Sequence, residues 1–191
     1  MKYKVNEIFY SLQGEGYWTG TPMVFVRFSG CNLKCPWCDT SHESGEEMTA
    51  DEILRAVQNA SEGLARRVCL TGGEPLLQAD APLLEALHAH GYLIHAETNG
   101  TLPRPEGLDW VTMSPKSKTA LTNPDEIKLV YEGGTPDLAK WETLCGNLFL
   151  QPCDAGNPES NREILQQTIH YVKQNAKWRI SLQIHKLINI K

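Results

Sequence analysis

The residues of this chain best suited to chemistry are three cysteines in one short run, Cys31-Asn32-Leu33-Lys34-Cys35-Pro36-Trp37-Cys38-Asp39-Thr40, spaced C-x3-C-x2-C. Thiolates are soft ligands that suit zinc or an iron–sulfur cluster. A cubane cluster is normally held by four cysteines, so a three-cysteine site leaves one iron with an open position where a small molecule can bind. The same spacing would place the thiols on one face of a helix. Gly30 before the run and Pro36 inside it argue against a regular helix there. A disulfide framework fits no better, because three close thiols cannot all pair and the N-terminus has no signal-peptide pattern. On spacing alone a structural zinc stays open, with His42 as fourth ligand.

The cysteine run resembles the signature of the radical S-adenosylmethionine enzymes. Further words lie around it: Leu12-Gln13-Gly14-Glu15-Gly16, Cys38-Asp39-Thr40, Thr71-Gly72-Gly73-Glu74-Pro75, Ser114-Pro115-Lys116, Gln151-Pro152 and Gln183-Ile184-His185. Together they resemble the 7-carboxy-7-deazaguanine synthases of queuosine biosynthesis, and they span nearly the whole chain. The resemblance implies a 4Fe–4S cluster on Cys31, Cys35 and Cys38, with S-adenosylmethionine chelated at its open iron and cleaved to a 5′-deoxyadenosyl radical. By motif, the cofactor would be held by Trp37, Asp39, Gly73, Ser114, Pro115, Lys116 and the turn Gln151, Pro152, Cys153 and Asp154.

The implied reaction contracts 6-carboxy-5,6,7,8-tetrahydropterin to 7-carboxy-7-deazaguanine with loss of ammonia. Leu12, Gln13, Gly14 and Thr71 would hold the ring edge of the substrate, and Arg27 its carboxylate. Glu15, His185 and Lys191 are further substrate-side residues, the last through its terminal carboxylate. Thr40 matches the family position that binds magnesium. A hydroxyl alone is a poor magnesium site, so the ion would have to bridge substrate oxygens and water. The resemblance also implies a flavodoxin- or ferredoxin-like electron donor and a homodimer. Two other readings share part of this pattern. One is an activating enzyme that makes a glycyl radical on a partner protein, and the other a zinc-stabilised binding module without catalysis.

Several of these residues have a plain structural reading as well. Gly73 suits either close backbone approach to a ligand or a strand-to-helix turn. Arg27 suits either a cross-strand ion pair or a carboxylate binder. Thr40 after Asp39 is otherwise an ordinary turn. Cys69, in an apolar strand-like run, and Cys145, at the end of a helix-like one, read as packing residues.

The elements that must position these residues alternate. Strands are expected at 3–9, 23–28, 67–71, 92–97, 109–113, 126–131, 148–151 and 178–184, the last on strict apolar–polar alternation. Residues 39–48 read as loop. A capping box, Thr49-Ala50-Asp51-Glu52, opens a helix to about residue 62. Asp80 caps a second helix, with Pro82 in its first turn and Gly91 past its end. A short helix is expected at Thr135-Pro136, and a second box, Ser160-Asn161-Arg162-Glu163, opens one to about residue 176. Candidate functional residues repeatedly follow strand ends, where an open parallel sheet gathers its ligands. A full eightfold barrel needs about 250 residues. This chain of 191 residues therefore predicts an incomplete β/α barrel with few helices, in one domain spanning 1–191. Apolar Leu187, Ile188 and Ile190 predict a terminal segment docked on the body.

Composition bounds the partners. A net charge of −5 argues against a broad nucleic-acid footprint, which needs a basic face. No apolar run is long enough for a membrane span. Six cysteines without a secretory signal point to a reducing, cytoplasmic compartment.

Overall fold

Among the described residues nine strands form: β1 (Tyr3–Leu12), β2 (Pro22–Phe28), β3 (Glu46–Met48), β4 (Arg67–Gly72), β5 (Leu93–Thr98), β6 (Trp110–Met113), β7 (Glu126–Tyr131), β8 (Leu148–Pro152) and β9 (Trp178–Ile180). They join one sheet in the order β3-β1-β2-β4-β5-β6-β7-β8-β9. The coordinates are a computed structural model that describes every residue except Trp37, Asp39 and Ser41. The cofactor roles expected of Trp37 and Asp39 therefore lie outside the described residues.

From β2 to β9 every pairing is parallel; β1 runs antiparallel to β2, and β3 antiparallel to β1. Among the described residues, crossovers are α-helical at α1 (Ala50–Ala60), α2 (Ala81–Ala89) and α3 (Pro158–Gln174). The result is the expected open, incomplete β/α barrel. Its outer face carries the core: Val26, Leu70, Ile94, Val111 and Ile127 pack with Ile53, Val57, Leu83 and Leu87 of the helices. Full burial of each such side chain contributes about 1.5–3 kcal/mol. Two of the three expected caps are in place. Thr49 and Glu52 form the reciprocal box of α1, and Asp80 accepts from Leu83 N at the start of α2.

The inner face turns polar toward the carboxyl ends of the strands. Its opposite end is plugged by the loop after β1, where Trp18 meets His95 and Trp110 at ring-centroid distances of 5.2 and 5.4 Å, with Arg67 over its face at 4.5 Å. Burial, assisted by the Arg67 charge, lowers His95 to about 4 against the opposing pull of Asp109 and Asp125. The native state thus holds His95 neutral while the unfolded chain protonates near pH 6.5. This stabilisation is complete above pH 6.5 and is lost as pH falls toward 4. His95→Phe, which keeps the ring and removes the proton site, is expected to flatten the acid limb of urea stability by about 2–3 kcal/mol between pH 7 and pH 4.5. Parallel limbs in the two proteins would remove His95 from the acid response.

β1 carries an irregularity. Val5 pairs with Phe28, but Glu7 rather than Asn6 pairs with Arg27, so Asn6 is an extra residue in the ladder.

The structure corrects five local expectations. Residues 39–48 are not wholly loop, because Glu46–Met48 adds to the edge of β1 as β3. No helix forms at Thr135-Pro136; the segment runs through turns such as Trp141 N to Leu138 O, and Cys145 therefore ends no helix. The third helix begins at Pro158, before the expected box, because Asn157 accepts from Glu159 N and Ser160 N and Pro158 suits the first turn. The alternating run 178–184 is a strand only to Ile180. Past that point β8 ends in Pro152, which has no N–H for a ladder, and Ile184 N bonds instead to Gly14 O as a short helix α4 (Ile184–Leu187) starts. Finally, Leu187 and Ile188 are 72% and 53% exposed, so the terminal segment docks through its polar groups rather than through these apolar ones.

Candidate active site

The cysteine run starts three residues after β2, and its backbone is fastened before any side chain matters. Gly73 N donates to Phe28 O at 3.1 Å and Glu74 N to Gly30 O at 2.9 Å, stitching the end of β4 to the entry of the loop. A Cβ on Gly73 would overlap the Gly30 carbonyl, so a glycine is required by close approach of the cysteine loop itself. Glu74 is fully buried and accepts from Thr98 Oγ1, Asn99 N and Leu76 N at 2.6, 2.8 and 3.0 Å. Asn99 Nδ2 in turn donates to Asn32 Oδ1 at 3.0 Å, and Asn32 Nδ2 to Thr101 Oγ1 at 2.7 Å. One buried carboxylate thus ties the ends of β4 and β5 to the loop between the first two cysteines.

That loop forms one wall of a cavity of about 650 Å³ at the carboxyl ends of the strands. Cys31, Cys35, Cys38, Thr40, Gly73, Ser114, Lys116 and the turn Gln151, Pro152, Cys153 and Asp154 all line it; Pro115 is not among the lining residues. Ser114 Oγ donates to Lys128 O at 2.9 Å and receives Lys116 Nζ at 2.8 Å. Burial lowers Lys116 to about 8. Hydrogen bonds from Asn161 and Lys186 hold Asp154 down at about 2. Cys153 is buried in the wall, its N–H donating to Tyr131 O at 2.9 Å.

The donor set of this cavity fits an iron–sulfur cluster. Burial pushes the Cys35 thiol up, Lys116 pulls it down, and Cys38 and Cys31 push it up again, so the three sulfurs lie close enough to repel as thiolates. Soft thiolates grouped in this way suit an iron–sulfur cluster. Among the described residues, no group of three or more His, Cys, Asp or Glu side chains converges on a single-ion site.

A second cavity of about 490 Å³ adjoins the first and shares Glu15, Thr40, Thr71, Glu97 and Gln183 with it. Leu12, Gln13, Gly14, Arg27, His185 and Lys191 line this one. Arg27 sits opposite Glu7 in the ladder and bonds it through Nε at 2.8 Å, so the cross-strand ion pair is real and the residue also faces the cavity. Gly14 has no room for a Cβ because the His185 ring lies against it. His185 is on α4, not at a strand end. Ser11 Oγ donates to Lys191 O at 2.6 Å.

The shared wall is a charge cluster. Lys128 Nζ, 5% exposed, pairs with Glu15 at 2.5 Å and Glu97 at 2.9 Å. Gln183 Nε2 donates to Glu15 Oε1 and Gln13 Nε2 to Glu97 Oε1. Burial alone would lower the ammonium of Lys128; Glu15, Glu97 and Glu126 raise it and keep it charged. Glu126 lies behind, raised by burial to about 7.

Nearly every residue suggested by the motifs thus lines one of two adjoining cavities, the cofactor-side residues the first and the substrate-side residues the second. Sequence reasoning marks Glu97 only as one of the candidates that follow strand ends, and it missed Glu74 and Lys128 as participants. A signal for Lys128 exists: Glu126 and Lys128 alternate with Ile127 and Leu129, which places two charges on the inner face of an otherwise apolar strand.

A cysteine loop at the open rim of an incomplete parallel barrel is the arrangement that the Radical SAM superfamily implies, and that superfamily's profile matches residues 25–117. The chain is 53% identical over 194 aligned positions to a 7-carboxy-7-deazaguanine synthase of Bacteroides thetaiotaomicron, each chain covered in full. It is 39% identical to the protein of that name from Nitratidesulfovibrio vulgaris, again over 100% of both. The crystal structure of QueE from Escherichia coli superposes with a TM-score of 0.74 at 27% identity, covering 95% of this chain and 94% of that one. The chain belongs to the 7-carboxy-7-deazaguanine synthase family of the radical SAM superfamily.

Proposed function

We propose that this chain is a radical SAM lyase that converts 6-carboxy-5,6,7,8-tetrahydropterin to 7-carboxy-7-deazaguanine and ammonia, a step toward queuosine. The observation that carries this reading is the pair of adjoining cavities, one lined by the three motif thiols and the other by Arg27, with Glu15, Thr40, Thr71, Glu97 and Gln183 between them.

Cys31, Cys35 and Cys38 would hold a 4Fe–4S cluster. When bound, the cluster and S-adenosylmethionine supply radical initiation, and the protein orients the reactants and excludes water. Ser114, Lys116 and the Gln151–Asp154 turn would hold the cofactor over the loop, with Trp37 and Asp39 as family positions. Gln13, Gly14 and Thr71 would hold the pterin edge, and the two terminal amino groups of Arg27 its carboxylate. Thr40, on the shared wall, would help hold magnesium, which would offset negative charge on the bound substrate. A reducing cytoplasmic setting, a flavodoxin- or ferredoxin-like donor and a homodimer complete the reading. Among the described residues, no helix is long and apolar enough to cross a membrane.

The test is anaerobic reconstitution with iron and sulfide, followed by mass analysis of the product from the carboxy-tetrahydropterin with and without magnesium. Formation of carboxydeazaguanine, enhanced by magnesium, is expected. A reconstituted protein that cleaves S-adenosylmethionine but leaves the pterin unchanged would overturn the substrate assignment.

A further inference from the structure

The mouth of the second cavity carries an arrangement that the family motifs do not describe. Glu7 Oε1 accepts from Arg27 Nε at 2.8 Å, and Glu7 Oε2 pairs with Lys191 Nζ at 2.5 Å. Both cations also lie over the Phe9 ring, Arg27 Cζ at 5.7 Å and Lys191 Nζ at 4.9 Å from its centroid. Phe9 is fixed from below by a stacked contact with Phe25 at 5.1 Å. All five residues line the cavity. One carboxylate and one ring therefore hold a guanidinium and an ammonium side by side.

Glu7 offsets one of the two cations and the terminal carboxylate of Lys191, held by Ser11 Oγ at 2.6 Å, offsets the other, so attraction for a ligand carboxylate rests on the arrangement of the two cations rather than on net charge. Glu7 takes Arg27 through Nε, which leaves both terminal amino groups of the fork for bidentate contact with a ligand carboxylate. Lys191 adds a point charge beside it without competing for that geometry. Glu7 itself is held below the ordinary carboxylate range: burial would raise it, but hydrogen bonds from Lys191 and Arg27 prevail.

We propose that Lys191, through its side-chain ammonium, is a second specificity residue for the substrate's carboxylate, and that Glu7 is the positioning residue that sets Lys191 and Arg27 at the right separation. The inference rests on the functional reading above and adds to it a two-cation cradle selective for a ligand carboxylate over an ester, an amide or hydrogen. It also separates positioning from bulk charge. If Glu7 were only a competing anion, its neutralisation would tighten anion binding. As a positioning residue, its neutralisation loosens it.

The test measures Kd on the reconstituted protein with S-adenosylmethionine bound, for 6-carboxy-5,6,7,8-tetrahydropterin and for tetrahydropterin without the carboxyl. Lys191→Met and Glu7→Gln are each expected to weaken the carboxylated ligand by about tenfold and the other by less than about twofold, and Lys191→Arg to restore most of the loss. Equal weakening of both ligands, or no weakening by Lys191→Met, overturns the role of Lys191. Tighter binding in Glu7→Gln overturns the positioning role. A wild-type protein that binds neither ligand overturns the functional reading, and the cradle falls with it.

Discussion

Cys35→Ala is expected to abolish reductive cleavage of S-adenosylmethionine and to leave the reconstituted protein short of the about four irons per chain of a cubane. Cys31→Ala and Cys38→Ala should behave alike, since all three thiols line the same cavity and a two-thiolate site cannot retain the cluster. Cys69→Ala is the control. Cys69 is fully buried between Met23 and Phe25 on the inner face, and burial raises its thiol well above the usual range, so it is neither a ligand nor reactive. The measurements are iron content and 5′-deoxyadenosine after dithionite reduction. Cleavage surviving in Cys35→Ala would end the cluster assignment, and cleavage lost in a folded Cys69→Ala protein would bring Cys69 into the site.

Lys128→Met should have the largest effect on stability of any single replacement on the inner face. The substitution keeps most of the volume and strands two carboxylates, Glu15 and Glu97, which the native ammonium holds at 2.5 and 2.9 Å. Removing one partner of a buried ionic cluster costs about 3–5 kcal/mol, because the charge left behind loses its counterion in a setting with little water. The loss must depend on pH. In the variant the stranded carboxyls would sit above their unfolded values, so protonation stabilises the native state, and that contribution disappears as pH rises through the raised values. The deficit should therefore be larger at pH 8 than at pH 5. Adding Glu97→Gln should return part of it. Urea unfolding at both pH values decides the matter, and a Lys128→Met protein within about 1 kcal/mol of wild type would show that the cluster is hydrated.

What the sequence disclosed follows from the range of the forces involved. Helix starts marked by local chemistry, such as the Thr49–Glu52 box and Asp80, are legible because the capping atoms lie within one turn. The start of α3 was misplaced for the same reason: two local signals compete, and Asn157-Pro158 prevails over Ser160-Glu163. The run at 178–184 misled because alternation reports which side chains can share a face, not whether a partner strand extends beside them. The site was legible where a motif names it. The Glu74–Thr98–Asn99–Asn32 network was not, because its members lie 24, 25 and 67 positions apart in sequence and meet only once the sheet has formed. The Lys128 cluster spans 113 and 31 positions and was hidden likewise.

The extra residue at Asn6 makes the first strand read in two frames. Upstream of it, Tyr3 and Val5 belong to the core under the helices; downstream, Ile8 faces that core while Glu7 and Phe9 face the cavity. Parity along the strand is therefore reset in mid-element, and a rule learned on residues 3–5 assigns residues 7–12 to the wrong side. Deleting Asn6 would shorten the strand by about 3.3 Å and leave Val5 and Glu7 consecutive, opposite Phe28 and Arg27 on the alternate faces they already occupy. A deletion from Glu7 onward has no bulge to absorb it and would turn the side chains on one side of it to the opposite face. The bulge thus lets the strand lose a residue without losing its frame, and the position that does so bears a side chain whose bonds run outward, to Ser44.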